Sequence, residues 1–242
     1  TGTVVISHAN ALGATTSGTT INTSRGAALD LRGGITLVEP LTFTGANVNK
    51  TCLINGSGTN TISSMINSSG GRHVINGGTV LNITGGITNN PFFVVNGSGI
   101  LNIRTTPLTM GTATFYADDY TLTVMDVASN VWGELTIAKG TVRMNVKDAL
   151  PPTASIRMGL DYGPLGTLDL NGFDQVTARL YNGTKNTGMR VVTSPTPATL
   201  TINQSLASSS FEGVFTNAIS VVKSGTGTMI LTNGVSSNTG SY

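Results

Sequence analysis

One short pattern recurs along this chain: a glycine, then apolar residues at every second position, then a turn. Gly78-Thr-Val-Leu-Asn-Ile83, Gly99-Ile-Leu-Asn-Ile103, Gly166-Thr-Leu-Asp-Leu170 and Gly227-Thr-Met-Ile-Leu231 share it, and Gly133-Glu-Leu-Thr-Ile137 and Ala198-Thr-Leu-Thr-Ile202 are close variants. Alternation with a period of two marks a half-buried strand. The glycine before each strand, and the Asn-Gly or Gly-Gly that often follows it, turns the chain.

Longer matches overlie the short ones. Gly2-Thr-Val-Val-Ile-Ser-His-Ala-Asn-Ala-Leu-Gly13 parallels Gly140-Thr-Val-Arg-Met-Asn-Val-Lys-Asp-Ala-Leu-Pro151, and Leu29-Asp-Leu-Arg-Gly-Gly34 parallels Leu168-Asp-Leu-Asn-Gly-Phe173. The order and spacing of the two matches agree, which is the mark of a repeat architecture. Asn-Gly recurs at 55–56, 76–77, 96–97, 171–172, 182–183 and 233–234. Such pairs make two-residue hairpins in a sandwich, or corners in a solenoid. Regular strand spacing and ordered repeats favour the solenoid.

In that fold, coils stack at ~4.8 Å, with Val, Leu and Ile in an inward column and Thr, Ser and Asn facing water. At roughly 20 residues per coil the chain makes about 12 coils and stands about 55–60 Å tall. Ser205–Ser210 and the stretch near Asp118–Tyr120 are the only weak helix signals. Ser194-Pro-Thr-Pro197 reads as a rigid loop before a strand at 198–202, and Pro151-Pro152 as a corner.

Composition agrees. Charged residues make up 10% of the chain and aromatics 5%, while Gly alone supplies 31 residues. A net charge of +2, with basic residues scattered, lacks the footprint of a nucleic-acid binder. No apolar run approaches the ~18 residues of a membrane span, Pro91-Phe-Phe-Val-Val95 being the longest cluster. Cys52 is alone, so it forms no internal disulfide and reads as a small buried hydrophobe.

Three segments resemble the autotransporter-associated β-strand repeat of large bacterial surface and secreted proteins. Val221-Val-Lys-Ser-Gly-Thr-Gly-Thr-Met-Ile-Leu-Thr-Asn-Gly234 is similar to the K-x-G-x-G-T-L-x-L-x-G core. Gly2–Gly13 and Gly140–Pro151 are similar to the G-T-L…N-A-L-[GP] segment, and 26–34 and 166–172 to G-x-L-D-L-x-G. The resemblance covers both ends and about 133–242; it is faint over 46–130, which reads as less regular coils or an insertion within one continuous β-helix domain, 1–242. It implies an all-β, single-stranded, right-handed parallel β-helix, export from the cell, a stalk or passenger role and no active site.

Chemistry is sparsely marked. His8 and His73 are the only imidazoles and read as solvated or corner residues. No nucleophile elbow is present, and no Cys or His spacing suggests a metal site. Asp118-Asp119, with Tyr116 and Tyr120 beside it and Asp126, Trp132 and Glu134 following, is the one cluster a sugar-cleaving β-helix could use. Extended, adjacent aspartates point to opposite faces; in a loop they could meet. Gly97-Ser-Gly99 and Gly225-Thr-Gly227 precede strands, not helices, and read as corners rather than phosphate cradles.

Finally, Asn238-Thr-Gly-Ser-Tyr242 runs into Thr1-Gly-Thr-Val-Val-Ile6 as turn into strand. The expected partner is therefore itself, as head-to-tail copies or adjoining repeats of a processed or excerpted chain. The expected polymer interface comprises Thr1, Gly2, Thr3, Val4, Val5, Ile6, Met229, Ile230, Leu231, Asn238, Ser241 and Tyr242. No cofactor, nucleic acid or membrane insertion is expected. The functional expectation is an extracellular scaffold; the alternatives are an adhesin that binds surface glycans and, behind it, a polysaccharide-degrading enzyme.

Overall fold

A computed structural model describes residues 2–45, 47–89, 92–160, 166–183, 189–205, 208–233 and 237–240. The chain is nearly all β, with one 3-10 turn at Thr23–Arg25, and every strand pairing among the described residues is parallel. That pattern rules out hairpins, since two-residue turns join only antiparallel strands. The solenoid reading is correct.

The coils have three faces. The first begins with Gly2–Ile6 and Ala27–Leu31 and runs in unbroken order to Arg179–Asn182. Ser209–Phe211 packs on Arg179–Asn182 and pairs with Met229–Leu231, which extends this face to the last coils. The second face runs from Thr36–Leu37 to Ser237–Asn238. The third begins with Thr19–Asn22, Leu41–Thr44, Ile66–Ser68 and Ile87–Asn89. It thins to single bridges at Thr109 and Val131 and resumes at Gln175–Thr177.

Coil length is uneven: Leu122 pairs with Thr141 after a short coil, and Thr141 with Thr167 after a longer one. On average the coil exceeds the roughly 20 residues expected from short repeat lengths. The second face holds ten successive rungs rather than twelve, a stack of about 45–50 Å at the spacing of a β-ladder. Coil length was underestimated because corner loops carry no alternating pattern and left no trace in the strand count.

Near the C-terminus two strands turn a corner without breaking. Val191–Asn203 pairs with the second face through its first half and with Gln175–Thr177 of the third through its second. Its register against Val214–Ser224 shifts between Ser194 and Ala198. Pro195 and Pro197 lie exposed in that bulge, where a missing N–H breaks no ladder bond. The expected loop at 194–197 is thus a bulge inside a bent strand. The weak helix signals also fail: Ser209–Phe211 is a strand, Asp118–Tyr120 is a turn, and Leu206 and Ala207 lie outside the described residues. The described part of 46–130 supplies strands to the same three ladders as its neighbours.

Columns of like residues fill the interior. Ile62, Ile83, Ile103, Met125 and Met144 stack on the second face, all fully buried. An aromatic file runs through Phe43, His73, Phe93, Phe115 and Trp132, with Phe93 and Phe115 stacked at 5.5 Å and Phe115 6.0 Å from Trp132. Corners are sealed by asparagine: the Asn60 amide donates to Asn55 Oδ1 at 2.7 Å while its own Oδ1 accepts from the Ile35 N–H at 2.9 Å. At Asn96-Gly97 the glycine adopts φ +104°, and a Cβ there would collide with the Ile75 carbonyl.

Not every threonine faces water. Thr123 continues the inward column between Leu101 and Val142, is fully buried, and its hydroxyl has no partner. Thr123→Val is expected to raise the denaturant midpoint, because an unpartnered buried hydroxyl costs about 1–3 kcal/mol. Phe115→Ala is expected to lower it by the equivalent of about 3–5 kcal/mol, the range for emptying an aromatic site in a packed core. Urea unfolding followed by circular dichroism measures both.

Candidate functional site

Stacked coils bring side chains that are distant in sequence into lines parallel to the axis. On the outer surface of the first face, one line contains Arg72, Val94, Tyr116, Thr136, Arg157 and Tyr181, each paired in register with the next. The neighbouring line contains Phe92, Thr114, Glu134, Ser155 and Arg179. Alternation along each strand aims these residues outward while Phe93, Phe115 and Leu135 point into the core.

A groove of about 400 Å³ lies over the first half of these lines. Phe92, Val94 and Ala138 form its apolar floor, Arg72 and Lys139 supply cations, and Tyr116 and Asp118 supply hydroxyl and carboxylate. The Phe92 and Tyr116 rings are 6.2 Å apart on successive coils. Val48 and Leu160 close the sides.

Beyond the groove the same lines form a closed polar network. Arg157 Nη2 donates to Tyr116 Oη at 2.8 Å and lies 3.2 Å from Glu134 Oε1. Thr136 Oγ1 donates to Glu134 Oε1 at 2.9 Å, and the Tyr181 hydroxyl donates to Glu134 Oε2. Arg179 sits 4.3 Å above the Tyr181 ring. Burial, and then the adjacent Glu134 carboxylate, push the Tyr181 phenol up to about 12. Both Glu134 oxygens are engaged, so this carboxylate orders the surface and is not placed as a free base.

The other candidates are dispersed. Trp132 is 1% exposed inside the aromatic file and cannot serve as a sugar platform. Asp126 pairs with Arg104 at 2.6 Å, away from the groove-lining residues. Asp118 and Asp119 occupy the corner after Thr114–Ala117, where Asn96 Nδ2 donates to Oδ2 of both at 3.1 Å. The turn, with Asp119 at φ 49°, lets adjacent carboxylates converge as extended backbone would not. Among the described residues no three His, Cys, Asp or Glu side chains group as metal ligands. No helix among them is long and apolar enough to cross a membrane.

His8 is exposed, its Nδ1 accepting the Asn10 N–H at 3.2 Å. The expectation for His73 needs correction: it is neither solvated nor at a corner but buried in the aromatic file, its ring 4.2 Å from that of Phe93. Its Nδ1 lies 3.2 Å from the Val94 carbonyl and its Nε2 3.4 Å from Cys52 Sγ. Cys52 is buried, as read from its apolar surroundings, and desolvation pushes its thiol far above the ordinary range. The pair therefore lacks the exposed thiolate of a nucleophile.

Of the expected interface residues, Thr1, Ser241 and Tyr242 lie outside the described residues. Gly2–Ile6 and Met229–Leu231 are the first and last described strands of the same face. Asn238 belongs to the last strand of the second. Single-sequence reading missed Arg72, Phe92, Lys139, Arg157 and Tyr181 as neighbours of Tyr116. Aligning outward positions coil by coil, with the coil length free to vary, would have placed most of them in line.

Fold and surface together define a three-faced parallel β-solenoid with one patterned outer face. Compared with known proteins, the chain matches no family model, no curated protein and no solved structure.

Burial lowers the pKa of His73 from 6.5 to about 4, against a smaller opposing effect of the Val94 carbonyl. The unfolded chain therefore takes up this proton at higher pH than the folded one. The stability held by neutral His73 is complete above 6.5 and is lost as pH falls towards 4, by up to about 3 kcal/mol. Urea midpoints between about pH 5 and 7 should rise with pH, and His73→Leu should flatten that slope.

Proposed function

We propose that this chain is an extracellular structural scaffold, a β-helical unit that stacks end to end on adjoining repeats or further copies. The observation that carries this reading is the state of the core columns at their two ends. Val4 stands in register with the buried Leu29, yet is 57% exposed; Leu231 stands in register with the buried Phe211, yet is 44% exposed. Val5 and Ile230 beside them are 52% and 49% exposed. Among the described residues, the outer edges of Gly2–Ile6 and Met229–Leu231 pair with no strand.

Unpaired ladders beside exposed apolar side chains are surfaces that associate. Both belong to one face, so a top-to-base contact continues that face's ladder and brings Leu231 of one unit onto Val4 of the next. This is a heterologous contact, which propagates as an open filament unless its rotation closes a ring. Main-chain bonds supply affinity and the columns supply register, as in strand addition. The resemblance of the repeats to autotransporter-associated strands supports a location outside the cell.

Purified chain, viewed by electron microscopy and sized by light scattering over rising concentration, should form filaments with one subunit per about 50–55 Å, the eleven rungs of the first face at ladder spacing. Val4→Asp combined with Leu231→Asp, which sets like charges against each other across the seam, should abolish them and leave the unfolding midpoint of the unit unchanged, since both side chains are already exposed. Ideal monomers at high concentration would overturn the proposal.

A further inference from the structure

The groove on the first face is unused by end-to-end stacking. It lies on the flank of the solenoid, at coils far from either end. Its composition is also unlike the rest of this sparsely charged, sparsely aromatic surface.

Two features set the chemistry of an occupant. The first is an excess of positive charge, two cations against the one Asp118 carboxylate. Among the described residues neither Arg72 nor Lys139 has a carboxylate within ion-pair distance, whereas Arg32, Arg104, Arg143 and Arg157 all do. Arg72 is held in place by its Nε, which donates to the Val48 carbonyl at 2.7 Å. Its terminal nitrogens remain available as the planar fork that suits a carboxylate.

The second feature is an apolar strip with hydrogen-bond acceptors beside it. Phe92 and Tyr116 stand on neighbouring lines of successive coils, diagonal to the axis, and form a strip for a ligand with flat apolar faces. Asp118 accepts one hydrogen bond at Oδ1, from the Asp119 N–H at 2.9 Å, and one at Oδ2 from Asn96. Each oxygen keeps a lone pair for a further donor. An acidic peptide would bring its negative charges against this carboxylate and few donors to satisfy it. A hydroxyl-rich anion satisfies both, with carboxylates on Arg72 and Lys139, hydroxyls on Asp118 and ring C–H faces on the aromatics.

We propose that this groove binds a linear acidic saccharide, a uronic-acid chain lying across the Phe92 and Tyr116 rings. The network of Arg157, Glu134 and Tyr181 continues the same two lines and fixes the Tyr116 hydroxyl at one end of the site. The proposal does not depend on the scaffold reading, because no residue of the groove belongs to the stacking ends.

The test is calorimetric titration of the intact chain, wild type and variants, with a glucuronic-acid oligosaccharide, its methyl ester and an oligoglutamate. The acid form should bind saturably and weaken as salt is raised. Methyl esterification, or Arg72→Gln with Lys139→Gln, should each weaken it by about tenfold to a hundredfold, the loss of charge-assisted hydrogen bonds. Tyr116→Ala should weaken both the acid and its ester. Circular dichroism melts show whether each variant folds, and Lys139→Gln, a partly exposed site, keeps the test open if the double variant does not. Absence of binding would overturn the proposal. So would equal binding of acid and ester, equal binding of oligoglutamate, or affinity unchanged by the charge variants.

Discussion

A parallel backbone ladder satisfies its N–H and C=O groups only with the coil above and the coil below. Everything else in this molecule follows from that requirement. Each coil must place three extended segments where its neighbours place theirs, so corners must turn sharply at fixed points, and side chains at equivalent positions must stack. The Ile62 to Met144 column and the Phe43 to Trp132 file are the interior result. The lines from Arg72 to Tyr181 are the exterior one.

Most of the fold was legible because strand alternation and glycine punctuation are local signals. The Gly-x-apolar-x-apolar segments at 78–83, 99–103, 133–137 and 227–231 all fall on strands. The Asn-Gly pairs at 55–56, 76–77 and 96–97 all close first-face strands. What failed was whatever depends on three-dimensional neighbours. Trp132 and His73 lie in short polar-looking contexts, yet the stack carries both into the core. Thr123 looks like an outward threonine and continues an inward column instead. The 194–197 segment has the prolines of a loop, but its neighbours on both sides hold it in a bent strand.

The candidate site was legible only in part. Tyr116 and Asp118 stand out together in sequence. Arg72, Phe92 and Lys139 reach them only because coils of different lengths return to one register, and uneven spacing hides such a line from a search at fixed period. The first and last described strands of the first face were easier to read, since Gly2–Ile6 and Met229–Leu231 are themselves strand motifs.

Coil length itself varies widely within a constant ladder. The short coil from Leu122 to Thr141 is followed directly by a longer one, from Thr141 to Thr167, with the pairing undisturbed. The surplus emerges at the corners, where it borders the ladder and is not part of it. The solenoid thus separates two kinds of inheritance: interior columns that accept only substitution, and corner segments that accept insertion and deletion. Relief on the flank, such as the Val48 wall of the groove, can be lengthened or pared away over generations while the stack beneath it keeps its shape.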